Sequence, residues 1–140
     1  MWSAEHRDET PAPTERVWQL MSDVASWSAW NPDVTTAEID GPFEAGSTIR
    51  MQTASGDVIP LRLTEVTAGR QFVDEAEVDG ITVRTDHRLE IDSDSGQTRV
   101  VYAVSITGEA PDAVLAEIGD AVSSDFPETI AGLVAAAAST

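Results

Sequence analysis

The C-terminal segment, residues 111–138, most limits how this chain can fold. Its apolar side chains recur at helical spacing, at Val114, Ile118, Val122, Phe126, Ile130, Leu133 and Val134. The only break in the pattern is Pro127, which we expect to kink the helix rather than to end it. At about 1.5 Å per residue such a helix is roughly 40 Å long, more than the width of a small domain. It must therefore lie across whatever sheet the rest of the chain forms.

The middle of the chain alternates apolar and polar residues with the period of two that is typical of strands. Six strands are predicted there, at residues 34–39, 47–53, 58–66, 71–78, 81–92 and 98–107. Pro60 indicates an edge or a bulge in the third of them, and Asp79-Gly80 predicts a tight hairpin. A further strand is predicted at residues 2–8, where Trp2, Ala4 and His6 share one side. Two small helices, ending at Asn31-Pro32, follow it.

These elements predict an α+β fold. Short turns between neighbouring strands favour an antiparallel meander, and a twisted sheet of this length curls. The long C-terminal helix is the only element able to cover the concave side. We therefore expect a curved antiparallel sheet of about six or seven strands wrapped around that helix, with two small helices after the first strand. The 140 residues are predicted to form one domain, residues 1–140.

The composition indicates the class of protein and its expected location. The hydrophobic content of 41% is that of a globular chain, no apolar run approaches membrane-spanning length, and the N-terminus does not resemble a signal peptide. Cysteine is absent, which removes disulfides and thiolate chemistry. We expect a cytoplasmic protein that does not insert into membranes, and either a monomer or a homodimer.

The charge distribution is one-sided. The formal net charge is −17, all eight basic residues are arginines, and none of them follows Arg99. Such a chain repels nucleic acid, so no nucleic-acid partner is expected. The strand arginines are expected to pair with carboxylates on the outer face of the sheet, whereas the carboxylates of the C-terminal helix, Glu117, Asp120, Asp125 and Glu128, have no local cation. Compositional bias explains this acidity better than adaptation to high salt.

Several local motifs, in this order, resemble the START-like helix-grip (SRPBCC) superfamily, in particular its polyketide cyclase/dehydrase and lipid-transport branch. They are APTERVW at residues 12–18, WSAWNPDV at 27–34, GPFEAGS at 41–47, His87 and Leu89 ahead of GQTRV at 96–100, and Phe126-Pro127 with Leu133. The resemblance covers essentially the whole chain. It implies a cavity between the sheet and the long helix that takes an apolar small molecule.

The residues themselves agree with such a cavity, because the long helix is rich in alanine and valine, which fill less space than leucine. We expect the function to be binding of a small hydrophobic ligand of the polyketide, lipid or isoprenoid class. The candidate ligand-binding residues are Trp30, Met51, Leu61, Leu63, Phe72, His87, Leu89, Tyr102, Val104, Phe126 and Ile130.

Two alternative functions stay open. One is an enzyme of the polyketide cyclase or dehydratase type, with His87 and Tyr102 as candidate catalytic residues that move protons or polarise a carbonyl. A core histidine satisfied by a neighbour explains His87 at least as well. Of Asp74 and Glu75, one would face inward as a base with a raised pKa, but we expect an edge strand with both exposed. The other alternative is a regulatory or partner-binding domain with a filled core. The two histidines and scattered carboxylates predict no metal site, and we expect no cofactor.

Overall fold

Seven strands form one antiparallel sheet in the computed structural model, which describes residues 1–138. The strands are β1 (Trp2–Thr10), β2 (Val34–Asp40), β3 (Thr48–Thr53), β4 (Val58–Thr67), β5 (Gln71–Val78), β6 (Ile81–Ile91) and β7 (Thr98–Gly108). Their order is β1-β7-β6-β5-β4-β3-β2, so β1 and β2 form the two edges. The antiparallel meander predicted from the short turns is confirmed; residues 139–140 of the predicted domain lie outside the described part.

The helices follow the predicted order. They are α1 (Thr14–Ser22), a 3-10 turn (Val24–Ser26), α2 (Trp27–Trp30), α3 (Asp112–Ser123) and α4 (Phe126–Ala138). Together with the sheet they make the helix-grip α+β fold, in which the long C-terminal helix packs against the sheet and two short helices follow the first strand. The buried core lies between sheet and helices and includes Val17, Ile49, Leu63, Val100 and Leu133.

Local sequence signals account for the turns and bulges of the sheet. Asp79 and Gly80 both have positive φ angles, 51° and 79°, as the predicted hairpin turn requires. The register between β4 and β5 shifts between Leu63 and Glu65, which is a bulge of the kind that Pro60 indicated. Pro60 itself pairs with β3, in a part of β4 where no pairing with β5 is found among the described residues. Its missing N–H therefore costs the sheet little.

The long C-terminal helix is interrupted at Ser124 and Asp125, and this divides it into α3 and α4. Pro127 lies in the first turn of α4, where its missing N–H is tolerated. The same missing N–H leaves the Ser123 carbonyl without its usual helical partner. Helical hydrogen bonding resumes when the Thr129 N–H donates to the Asp125 carbonyl at 2.9 Å. The sequence predicted the place of the kink; the structure shows that it separates two helices.

One close approach fixes α4 against the short helices. A Cβ atom at Gly132 would overlap the backbone carbonyl oxygen of Trp30, so only glycine allows α4 to come this near to α2. In α3, a Cβ atom at Gly119 would overlap the indole ring of Trp2 on β1. The two glycines therefore let the C-terminal helices approach the rest of the molecule at both ends.

We expect Gly132→Ala to lower the free energy of unfolding by about 1–3 kcal/mol, although alanine is the better helix former. The reason is that the obstacle is a backbone carbonyl, which moves only if α2 or α4 moves. Gly119→Ala is the comparison. The obstacle there is a side-chain ring, which can turn aside, so the free energy of unfolding should fall by less. Urea denaturation of the three proteins measures this; equal stability of Gly132→Ala and wild type would contradict the close approach.

Candidate functional site

A cavity of about 680 Å³ lies between the concave face of the sheet and the helices. Its floor is formed by β3 to β7, and its roof by α2 and the junction of α3 with α4. The lining is mostly apolar and aromatic, with a few polar groups. The residues that line it on the sheet side are Met51, Ile59, Leu61, Phe72, Asp74, Ala76, Val78, Val83, Thr85, His87 and Tyr102; those on the helix side include Met21, Trp27, Trp30, Val122, Phe126 and Thr129.

An aromatic row crosses the cavity floor. Phe72, His87 and Tyr102 are cross-strand partners on β5, β6 and β7, so their side chains rise from the same face of the sheet. The His87 imidazole stacks on Phe72, with ring centroids 3.9 Å apart and planes 10° from parallel. Tyr102 meets His87 edge-on at 4.6 Å, and Phe126 of α4 meets Tyr102 edge-on at 5.6 Å. The row holds the imidazole in one orientation.

His87 is buried and neutral. Burial lowers its pKa to about 4, partly offset by the hydrogen bond to the Phe72 carbonyl. The Nδ1 atom lies 3.2 Å from that carbonyl oxygen. Because a carbonyl oxygen only accepts, Nδ1 carries the proton and Nε2 has a free lone pair. Nε2 is therefore an acceptor, and it lies 3.9 Å from Asp74 Oδ2.

Asp74 faces into the cavity, so the expectation that both Asp74 and Glu75 are exposed is wrong. β5 is not an edge strand, because β4 and β6 flank it. Residues two positions apart on a strand share a face, so Asp74 lies on the same face as Phe72. The side chain is only 7% exposed, and its Oδ2 lies 3.9 Å from His87 Nε2. Burial, and then the charge of Glu75, raises its pKa to about 7. Near neutral pH a large fraction of this carboxyl is protonated and can donate a hydrogen bond.

Two further donors at the cavity have no protein partner within residues 1–138. The Tyr102 hydroxyl makes no hydrogen bond there, and burial together with the nearby Asp74 raises its pKa. The indole Nε1 of Trp30 is buried and has no acceptor. Buried polar groups are normally satisfied, so unpartnered donors beside an apolar cavity point to an occupant that accepts hydrogen bonds.

Seven of the candidate ligand-binding residues predicted from the sequence line the cavity: Trp30, Met51, Leu61, Phe72, His87, Tyr102 and Phe126. The other four, Leu63, Leu89, Val104 and Ile130, are buried in the packed core and do not line it. Alternation predicts which side of a strand is inside, but it does not distinguish a side chain under the cavity from one packed against a helix.

Other lining residues were missed. Ile59 and Thr85 follow from the alternation of the strands, since each lies two positions from a residue already assigned to the inner face, and Ala76 lies four positions from Phe72 on the same face. The mouth of the cavity gives no such signal, because it is built from loops. Asp33, Asp57 and Asp125 line it, and nothing in their spacing along the chain indicates that they meet.

A family model supplies the identification. The family described as polyketide cyclase/dehydrase and lipid transport matches residues 1–138. The chain belongs to this family. Helix-grip domains of this kind are typical of hydrophobic ligand binding. No curated protein matches the chain in a sequence search.

Solved structures share the fold of this polyketide cyclase/dehydrase and lipid transport domain at low sequence identity. The protein XoxI from Bacillus cereus is 17% identical, with a TM-score of 0.80, over 99% of this chain and 97% of its own. The ZhuI aromatase/cyclase from Streptomyces sp. R1128 is 15% identical, with a TM-score of 0.77, over 98% and 93%. Ara h 8.0201 is 12% identical, with a TM-score of 0.69, over 96% and 98%. At these identities the likeness concerns the fold alone.

Within residues 1–138, no group of three or more His, Asp or Glu side chains is arranged to hold a metal ion. In the same range no helix is both long enough and apolar enough to cross a membrane.

The raised pKa of Asp74 predicts how stability depends on pH. The folded-state pKa of about 7 exceeds the usual 3.8, so the folded protein keeps a proton that the unfolded chain releases. This bound proton adds to the free energy of unfolding, on the order of 4 kcal/mol at full size. The added stability is fully present below about pH 4 and is lost as the pH rises to about 7. Asp74→Asn should therefore gain stability relative to wild type across this range, as measured by urea denaturation.

The comparison isolates Asp74 because His87 is present in both proteins. The lowered pKa of His87 gives the opposite slope, a stability that rises from about pH 4 to 6.5, and it cancels in the difference. Glu77→Gln, which removes an exposed carboxyl of the same strand, is the control for the loss of one carboxyl group from β5. A flat difference for Asp74→Asn would contradict a protonated, buried Asp74.

Proposed function

We propose that the protein binds one small, mainly apolar molecule of the polyketide, lipid or isoprenoid class in the cavity beneath the α3–α4 junction. The observation that carries this proposal is the cavity itself. Its volume of about 680 Å³ falls within the range of roughly 300–1,000 Å³ that is usual for small-molecule sites. Its apolar walls and few polar groups have the composition of such sites.

The polar groups favour a ligand with oxygen acceptors. The Tyr102 hydroxyl, the protonated Asp74 carboxyl and the Trp30 indole N–H are all donors, and none has a hydrogen-bond acceptor within residues 1–138. A ketone, hydroxyl or ether oxygen on the ligand would satisfy them, whereas a pure hydrocarbon would leave them unpaired at a cost of about 1–3 kcal/mol each. The donors therefore favour oxygenated molecules over plain alkanes.

Acid–base catalysis on a carbonyl compound is the second candidate, and the meeting of His87, Asp74 and Tyr102 favours it. His87 Nε2 can accept a proton from a carbon next to a carbonyl, while the phenol or the neutral carboxyl donates a hydrogen bond to the carbonyl oxygen. This chemistry underlies aldol cyclisation and dehydration, and the structural neighbour ZhuI is an aromatase/cyclase.

The filled core of the third alternative does not agree with the structure. Small side chains of the C-terminal helices, Ala121, Val122 and Thr129, are part of the lining, and a space of about 680 Å³ stays open between helices and sheet. A partner-binding role that requires a filled interior is therefore not proposed.

Two neighbouring positions on β4 test binding. Ile59 lines the cavity and Val58 is exposed on the other face. Ile59→Trp should obstruct part of the cavity and weaken the fluorescence enhancement of the neutral probe N-phenyl-1-naphthylamine, whereas Val58→Trp should retain it. The probe should also raise the stability of wild type, by about 2.7 kcal/mol at 100 times its Kd. Equal probe binding by both variants, or none by wild type, would contradict a ligand-binding cavity.

The catalytic candidate has its own test. Wild type should accelerate hydrogen–deuterium exchange at the carbons flanking the carbonyl of 2-undecanone, measured by NMR, and His87→Ala should lose at least tenfold of that acceleration. His6→Ala is the control, because His6 is the other histidine and does not line the cavity. Binding of the fluorescent probe checks that His87→Ala still has an intact cavity. No acceleration by wild type would leave a binding protein without this activity.

A further inference from the structure

The mouth of the cavity is negatively charged. Asp33 precedes β2, Asp57 ends the β3–β4 turn, and Asp125 lies between α3 and α4, yet all three line the same cavity and are at least partly exposed to solvent. A backbone hydrogen bond from Ala54 N–H to the Asp33 carbonyl ties the β3–β4 turn to this place. Partial burial, and then the nearby carboxylates of Asp125 and Glu128, raise the pKa of the Asp33 carboxyl, so these acidic groups are close enough to interact.

No cation balances these carboxylates within residues 1–138, where no ion pair includes Asp33, Asp57 or Asp125. The outer face of the sheet is different, because its carboxylates are paired with arginines. Arg88 contacts Asp86 at 3.0 Å, and Arg99 contacts Asp92 at 2.9 Å. No arginine lines the cavity among the described residues.

The interior of the cavity supplies an independent indication of a ligand. Asp74 lines the cavity, its side chain is 7% exposed, and it makes no hydrogen bond within residues 1–138. The buried indole N–H of Trp30 is also without an acceptor there. Such groups are normally satisfied in folded proteins. Asp74, Asp33 and Asp125 line the same cavity, so one molecule in it can contact the interior carboxyl and the carboxylates of the mouth.

We infer that the ligand is a mainly apolar molecule that carries oxygen acceptors along its length and a protonated amine at one end, and that the amine lies between Asp33 and Asp125 while the rest of the molecule occupies the cavity. The inference rests on the proposed binding function. An ammonium group neutralises two adjacent carboxylates that otherwise repel each other. The aromatic faces of Trp30 and Phe126, which line the same cavity, are further favourable surfaces for a cation.

The same geometry disfavours anionic ligands. A fatty acid that entered with its chain in the cavity would place its carboxylate at the mouth, beside Asp33, Asp57 and Asp125, without a cation to receive it. A neutral alcohol of the same length would meet no such repulsion and gain no ion pair. Affinity should therefore decrease from amine to alcohol to carboxylate.

Displacement of N-phenyl-1-naphthylamine by decylamine, 1-decanol and decanoate at pH 7 tests this order. With wild type we expect decylamine to compete at least tenfold better than 1-decanol, and decanoate to compete least. Higher salt should reduce the advantage of the amine. The double variant Asp33→Asn, Asp125→Asn should bring amine and alcohol within about threefold. Asp120→Asn is the control for overall charge, since Asp120 is exposed on α3 and does not line the cavity.

The outcomes separate the two proposals. If the probe does not bind wild type, the proposed binding function fails, and the inference fails with it. If the probe binds but the amine has no advantage, because the three compounds compete equally or none competes, the binding function stands and the inference is overturned. If Asp120→Asn reduces the advantage of the amine as much as the double variant does, the preference comes from overall charge, and the assignment to Asp33 and Asp125 is overturned.

Discussion

The close contact of α4 with α2 determines what the rest of the molecule can do. Gly132 allows α4 to approach the Trp30 carbonyl, and from there Ile130, Leu133 and Ala137 fill the core against the sheet. At the other end of α4, the interruption before Pro127 lies opposite the concave face of the sheet. Small residues there, Ala121 and Val122 of α3, leave space below. One helical segment thus closes a packed core at one end and roofs a cavity at the other.

Desolvation by this roof sets the chemistry of the interior. His87 and Asp74 would form an ion pair if both were charged, yet burial lowers the pKa of the first to about 4 and raises that of the second to about 7. In the low-dielectric interior the neutral forms cost less, because neither side chain has enough polar partners to stabilise its charge. The cavity therefore presents hydrogen-bonding groups rather than charges, while the charged groups lie at its mouth.

Much of the fold is readable from the sequence because it depends on periodicity and turn chemistry, as in the Asp79-Gly80 hairpin and the break near Pro127. Strand parity also placed Phe72, His87 and Tyr102 on one face, where they meet. Asp74 was misjudged because the order of strands in a sheet is a long-range property, and a carboxylate is expected to be exposed unless the neighbouring strands are known. The mouth of the cavity joins three loops that are distant in sequence, and no local pattern encodes that meeting.

The positions of the ion pairs show where in the structure the net charge of −17 is left unbalanced. Arginines on the outer sheet face pair with the carboxylates of neighbouring strands, as in the contacts of Arg50 with Asp40 and Glu38; exposed pairs of this kind contribute little to stability. Within the described residues these pairs leave the helix junction and the mouth without positive charge. The number of carboxylates in the chain does not by itself explain why those at the mouth lie together without a cation. That separation of charge follows from the fold, and it gives the two ends of the cavity different ligand preferences.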